Sequence, residues 1–508
     1  MSTTTYSGSD LQVQTHFAPP AVLRAACGAA AGLIAGLLYW VLLTSQNVSP
    51  LMSASDIPGD LLVHLVLSTL TGIIFALTFG KLVITPGAGI MWGVVFGLMW
   101  WFVGPLTLFP IFNGQPVTWT IGAAQDAFPL LTGLAVSFGA AMGLIYLTLA
   151  ALFAGKLNPQ NLRNIGLTFV GLAVSGALAG LLGGLVFGGW MSRVQFFPLV
   201  AQILQTDSAD AGYALHILIS VIIGATFGVL FRADIRGLGT SIAWGFAYGF
   251  IWWILGALTL MPVFLGVGVQ WSLGVAQENF GSLVGHIVYG LILGLSYALI
   301  VRTYQILFVD SDPLNREPEG PGTRNVRALG LGIIASVTGG LAFTLVMVAT
   351  NTLPSVAGVV GGNAALVGFV VHMSISAIIG ATYGLLFQRN VHTYGSALSW
   401  GIVFGLVWWF IGPLTLMPLI LSGSLAWNLD AATANFPSLI GHMLYGGFLA
   451  VTFRWLTERF DPVRQRALPL NKRYQPPQPQ QQTPTAAALW TLTLLLSLVL
   501  VLLLGTGA

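Results

Sequence analysis

Apolar runs of about 20 residues recur along the whole sequence, and each is long enough to cross the hydrocarbon core of a bilayer. Only 6% of the 508 residues are charged, whereas an ordinary soluble domain carries about 25% charge. Lipid must therefore surround most of the chain, and we predict an all-α integral membrane protein. The thirteen predicted spans are residues 21–44, 60–79, 87–111, 128–153, 166–189, 211–231, 239–264, 280–301, 328–349, 364–387, 395–421, 436–456 and 487–505.

The positive charges predict how these spans are oriented. All but one of the 18 Lys and Arg residues lie in the N-terminal tail or in even-numbered loops, and only Arg193 lies in an odd-numbered loop. Basic residues concentrate in cytoplasmic loops. The pattern therefore predicts a multi-pass protein of the plasma (inner) membrane, with a cytoplasmic N-terminus and its C-terminus outside.

Internal repetition is the strongest pattern in the chain. The segment Trp92–Pro110 recurs at Trp244–Pro262 and at Trp400–Pro418, which are spaced 152 and then 156 residues apart. Because each repeat contains four spans, an even number, the repeats enter the membrane in the same sense and are parallel. A pseudo-threefold arrangement is the simplest packing of three such units, and a linear row is the alternative.

The repeats and the segments between them define the predicted domains. They are a disordered cytoplasmic tail (1–20), repeat 1 (21–155), repeat 2 (164–302), a charged linker (303–327), repeat 3 (328–457), a charged and then Pro/Gln-rich linker (458–486) and a single transmembrane helix (487–505).

A histidine in the second helix of each repeat is the first candidate site residue. His, Ser and Gly follow each other at intervals of four residues, which places them on one helix face. Ionisable side chains inside a membrane are costly and commonly mark function. Alternatively, Ser and Gly form a close-packing seam and His donates a hydrogen bond across it. The candidates are His64, His216, Ser220, His372 and Ser376.

The fourth helix adds a second histidine in two of the three repeats. His286 and His442 each lie 70 residues after the second-helix histidine and at a similar depth, in the outer third of the bilayer. Repeat 1 instead has Leu134 near this position, and it has Phe109 where the other repeats have Met261 and Met417. Because His and Met are lost together, we expect them to serve one site.

The expected sites are therefore His216, His286 and Met261 in repeat 2, and His372, His442 and Met417 in repeat 3. Two histidines at one depth are suited to a haem or another tetrapyrrole metal, and an added thioether suits copper(I). The sequence thus favours a cofactor-binding or metal-binding membrane subunit over an enzyme. A small-solute transporter or channel and a scaffold subunit that contacts other membrane subunits are the alternatives.

Several functional classes are disfavoured by the sequence. It contains no P-loop, no HExxH motif and no soluble segment long enough to form a domain, which argues against ATP as a partner. The net charge of +3 results from the placement of loop residues, so nucleic acid is not an expected partner either. No Asp or Glu falls in the interior of a predicted span, and Asp60 lies at the boundary of one. This argues against a proton- or cation-coupled carrier.

Overall fold

The structure is a computed structural model that describes residues 19–44, 57–117, 119–153, 159–235, 237–308, 321–391, 393–460 and 483–505. Residues 1–18 of the predicted tail, the central part of the charged linker and most of the Pro/Gln-rich linker lie outside the described residues. Across the described ranges the chain is helical and contains no strand.

Within the described residues, thirteen helices are long and apolar enough to span a membrane, which confirms the predicted number. They are α1 (Ala21–Thr44), α2 (Leu61–Thr78), α3 (Pro86–Phe112), α4 (Phe128–Phe153), α5 (Val170–Arg193), α6 (Ala209–Phe231), α7 (Leu238–Phe264), α8 (Phe280–Tyr304), α9 (Gly322–Ala349), α10 (Ala365–Phe387), α11 (Tyr394–Ser422), α12 (Phe436–Arg459) and α13 (Ala486–Leu504). The chain is a polytopic membrane protein.

The third helix of each predicted repeat is irregular at one place, where it adopts a π-helix. The π segments are Gly104–Leu108 in α3, Trp253–Leu260 in α7 and Gly412–Leu416 in α11. A proline follows each segment two residues on, and a proline cannot donate the backbone hydrogen bond that a regular turn needs. Each helix therefore widens locally at this segment and then continues for about one more turn.

The chain forms two compact units. In the first unit, which comprises residues 1–118 and 130–168, glycines bring neighbouring helices into backbone contact. A Cβ added to Gly97 of α3 would collide with the carbonyl of Leu134 in α4, and one added to Gly72 of α2 would collide with the carbonyl of Gly28 in α1. Small residues permit this close approach in membranes.

The second unit, residues 119–129 and 169–508, contains the same kind of contact. Gly249 of α7 lies against the carbonyl of His286 in α8, and Gly405 of α11 lies against the carbonyl of His442 in α12. These backbone contacts thus fix where His286 and His442 lie relative to the third helices α7 and α11.

The helix α13 also belongs to the second unit, where it packs on α7 and α11. Its last turn, Val501–Leu504, contacts three short helices that each precede a fourth helix. These are Ile121–Asp126, Leu273–Glu278 and Leu429–Ala434. The end of α13 therefore contacts three short helices that are widely separated in the sequence.

Replacing Gly405 by Ala should lower the thermal stability of the detergent-purified protein, because the added methyl group must displace the α12 backbone. Overpacking of this kind costs about 1–3 kcal/mol. The matched control is Gly395→Ala on the same helix, where an added Cβ meets nothing within 4 Å. Thermal unfolding followed by tryptophan fluorescence measures both, and equal midpoints for the two variants would contradict backbone contact at Gly405.

Candidate functional site

The second-helix histidines are buried, and each donates a hydrogen bond to the first helix. The Nε2 atom of His216 lies 2.9 Å from the carbonyl oxygen of Gly184. Since a carbonyl can only accept, Nε2 carries the proton and Nδ1 is the atom with the lone pair. The same bond joins His64 to Gly36 at 2.8 Å and His372 to Gly340 at 3.0 Å. This is the cross-helix bond that the packing interpretation expects.

The serines Ser220 and Ser376 take part mainly through packing and through their backbone. A Cβ added to Gly184 would collide with the side chain of Ser220, so the two helices touch there. The carbonyl of Ser220 accepts a hydrogen bond of 2.7 Å from the Tyr289 hydroxyl, and that of Ser376 accepts one of 2.6 Å from Tyr445. These bonds fasten the second helix to the fourth.

The fourth-helix histidines have the opposite tautomer. Nδ1 of His286 lies 2.8 Å from the carbonyl of Ser282 and must be the donor; its Nε2 then carries the lone pair. This Nε2 faces Gly256 in the π segment of α7, 3.8 Å from the position that a Cβ would occupy. His442 repeats the arrangement with Ser438 at 2.7 Å and with Gly412 at 3.5 Å.

A phenylalanine from the first helix lies against both histidines of each site. The ring centroid of Phe187 lies 5.6 Å from that of His216 and 5.0 Å from that of His286. Phe343 makes the equivalent contacts, at 5.2 Å to His372 and 4.7 Å to His442. The structure therefore brings the predicted histidine pairs together around a shared phenyl ring.

The methionines directly follow the C-terminal ends of the π segments. Met261 and Met417 each begin the last turn of their helix and are half-buried. Among the described residues, no group of three His, Cys, Asp or Glu side chains converges in a way that could hold a metal ion. A metal at these sites would have to rely on imidazole and thioether ligands, or on ligands that it brings with it.

In the first unit, the counterparts of the predicted site residues line one cavity of about 30 Å³. Its lining includes His64, Ser68, Leu134 and Phe109, together with Tyr39, which corresponds in sequence to Phe187. Leu134 and Phe109, which replace the expected His and Met, thus line the same cavity. Space for about two water molecules remains.

Leu134 occupies the His286 position in spite of a one-residue insertion that follows it. Gly97 contacts the carbonyl of Leu134 as Gly249 contacts the carbonyl of His286. One turn on, Gly93 contacts Gly139. The helix α4 absorbs the additional residue in a π-helix, Gly133–Ala140, which is how an insertion is commonly accommodated inside a helix.

Threonine supplies the hydrogen bond that the π segments need, a role that the sequence interpretation missed. The hydroxyl of Thr259 donates to the carbonyl of Ile254, five residues earlier, at 2.8 Å. It also accepts a 2.9 Å bond from the indole of Trp271. Thr415 and Trp427 repeat both bonds. The recurrence of Thr at the same position of the repeated segment could have indicated this role.

The tryptophan pairs of the third helices divide into one buried and one half-buried member. The indole of Trp253 donates to the carbonyl of Asn279 at 3.2 Å, and that of Trp409 donates to the carbonyl of Asn435 at 3.0 Å. Trp252 and Trp408 are half-buried. Packing thus accounts for Trp253 and Trp409. Their hydrogen bonds also hold the residue that directly precedes each fourth helix.

Two further residues of the site, Phe187 and Phe343, were also missed. Each follows a Gly-Gly pair in the segments Gly183–Phe187 and Gly339–Phe343, which are spaced by the same 156 residues as the histidines. The spacing could have identified them.

No protein-family model, curated protein or solved structure matches this chain. Its fold and site define it as a polytopic membrane protein, helical throughout its described residues, with two histidine clusters in its second compact unit.

Replacing Thr259 by Val should lower the unfolding midpoint, because the substitution keeps the shape but removes two buried hydrogen bonds. Such bonds contribute about 0.6–1.7 kcal/mol each in membrane proteins. The control is Thr344→Val in α9, whose hydroxyl makes one bond within its own helix. The Trp271 emission should also shift in Thr259→Val. An unchanged midpoint and emission would show that Thr259 does not support the π segment.

Proposed function

We propose that this protein is a membrane-embedded binding subunit in which His286 and His442 each offer Nε2 to the metal of a bound ligand. The observation that carries the proposal is the tautomer of the fourth-helix imidazoles. Histidines that bind metals commonly donate their other ring N–H to a backbone carbonyl, and His286 and His442 make this bond to Ser282 and Ser438.

The other residues of the cluster support this imidazole without ligating. The Nε2–H of His216 donates a hydrogen bond to the carbonyl of Gly184, so that nitrogen is engaged, and Phe187 contacts both imidazole rings. In this proposal His216 and His372 position the phenyl ring, and the ring in turn orients the fourth-helix histidine. Each proposed site therefore has one imidazole ligand, whereas the sequence analysis expected two.

The chemical class of the ligand follows from the donor atoms. A neutral imidazole in an apolar bundle suits a tetrapyrrole metal as an axial ligand, and an imidazole with a nearby thioether suits copper(I). Met261 and Met417 follow the π segments that His286 and His442 face. The first unit, in which Leu134 and Phe109 line a cavity of about 30 Å³, is proposed to lack such a site.

Optical spectroscopy and metal analysis of the purified protein test this proposal. We expect up to two equivalents of metal or tetrapyrrole per chain, about half of that in His286→Ala or in His442→Ala, and none in the double variant. The control is His64→Ala, which removes a buried intramembrane imidazole from the first unit and should leave the stoichiometry unchanged.

Protein that is reconstituted with haem or copper(I) and still shows neither a Soret band nor bound metal would rule out the proposal. In that case, solute flux in liposomes would support the transporter alternative, and stable co-purifying membrane subunits would support the scaffold alternative.

We also propose that the three repeats are parallel and are arranged with pseudo-threefold symmetry. The recurrence of the same contacts at the same sequence offsets supports this arrangement, as does the contact of α13 with three short helices. The distribution of Lys and Arg supports a cytoplasmic N-terminus in the plasma (inner) membrane.

Cysteine labelling of intact cells tests this orientation. Gly122, Gly274 and Gly395 are exposed, and an added side chain meets nothing within 4 Å at any of them. In a Cys27→Ala background, Gly122→Cys and Gly274→Cys should react with an impermeant maleimide from outside, and Gly395→Cys should react only after lysis. Labelling of Gly122→Cys and Gly274→Cys from opposite sides would exclude parallel repeats.

A further inference from the structure

A cavity of about 570 Å³ lies beside the last turn of α13, within the second compact unit. This volume is in the range of sites for small organic molecules. The polar residues in its wall are Gln125, Gln277, Asp430 and Thr433, and each belongs to one of the three short helices.

The two glutamines hold the end of α13. The Nε2 of Gln125 donates to the carbonyls of Leu502 at 3.2 Å and Gly505 at 2.8 Å, and that of Gln277 donates to Leu503 at 2.9 Å. These bonds use both N–H groups of Gln125 and one of the two N–H groups of Gln277. The Oε1 atom of each side chain can accept a further hydrogen bond.

The third short helix lacks this glutamine, which explains why the cavity is there. Thr433 lies 156 residues after Gln277 and thus at the equivalent position. Its side chain is shorter, and no described hydrogen bond joins it to α13. The space that a glutamine would occupy remains part of the cavity.

The net charge at this cavity favours a cation. Asp430 is exposed and provides a carboxylate. The C-terminal end of α13 carries a partial negative charge, and none of the described residues that line the cavity is basic. The rest of the wall is apolar and consists of Leu273, Leu429, Ala434, Leu503 and Leu504, with Gly505 at the end of α13.

We propose that this cavity binds a small organic ammonium ion. The ammonium group is held by the carboxylate of Asp430 and by amide and main-chain carbonyl oxygens, and the hydrocarbon part lies against the leucines. A divalent metal ion fits less well, because calcium and magnesium need six or more oxygen ligands and only one carboxylate is available. This site is separate from the histidine clusters and does not depend on the function proposed for them.

Calorimetric titration of the full-length protein in nanodiscs with n-butylammonium tests the proposal. We expect saturable binding at one site per chain, with 1-butanol and calcium ions unable to compete. Asp430→Asn should weaken binding at least about tenfold, because a charge-assisted hydrogen bond is lost. Thr433→Gln should also weaken binding, because the longer side chain takes up part of the cavity next to Asp430 and can contact α13 as Gln125 and Gln277 do.

Two matched controls separate the cavity from the general charge of this surface. Asp126→Asn and Glu278→Gln remove a carboxylate from the other two short helices, and neither residue lines the cavity. Both variants should bind n-butylammonium as the unaltered protein does, and so should the His286→Ala/His442→Ala variant. The absence of binding, equal competition by 1-butanol, or equal losses in the two controls would overturn the proposal.

Discussion

Direct backbone contact between neighbouring helices is the constraint on which the rest of the structure depends. In lipid there is little hydrophobic drive for helices to associate, so close packing and interhelical hydrogen bonds must hold the bundle together. The glycines Gly97, Gly249 and Gly405 let third helices touch fourth helices without an intervening side chain. In the second unit, these contacts place Gly249 against the carbonyl of His286 and Gly405 against that of His442.

The clusters themselves show how polar groups are accommodated inside this bundle. Each imidazole N–H is given to a backbone carbonyl: His216 donates to a neighbouring helix and His286 to its own helix. The two rings therefore have opposite tautomers, although both lie against Phe187. One ring is committed to holding helices together, and the other retains a lone pair on Nε2. This difference is the basis for the assigned roles.

The number of spanning helices could be predicted from the sequence, because hydropathy over 20 residues depends on length and composition alone. The helix positions of the histidines could also be predicted, since periodicity places residues on a face. The tautomers could not, because they depend on which carbonyl lies within 3 Å. Phe187 and Thr259 were overlooked because neither has an ionisable group, although both occur in repeated segments. The π-helix in α4 required knowledge of what Gly93 and Gly97 contact.

The helix α13 is synthesised after the other twelve, yet its last turn contacts the short helices that precede α4, α8 and α12. Gln125 and Gln277 are synthesised well before α13. Their hydrogen bonds to the carbonyls of Leu502 and Leu503 can therefore form only after α13 has been inserted. These bonds join residues that lie 377 and 226 positions apart in the sequence. They can therefore form only after every helix between the two partners has been inserted, so this part of the second unit assembles last.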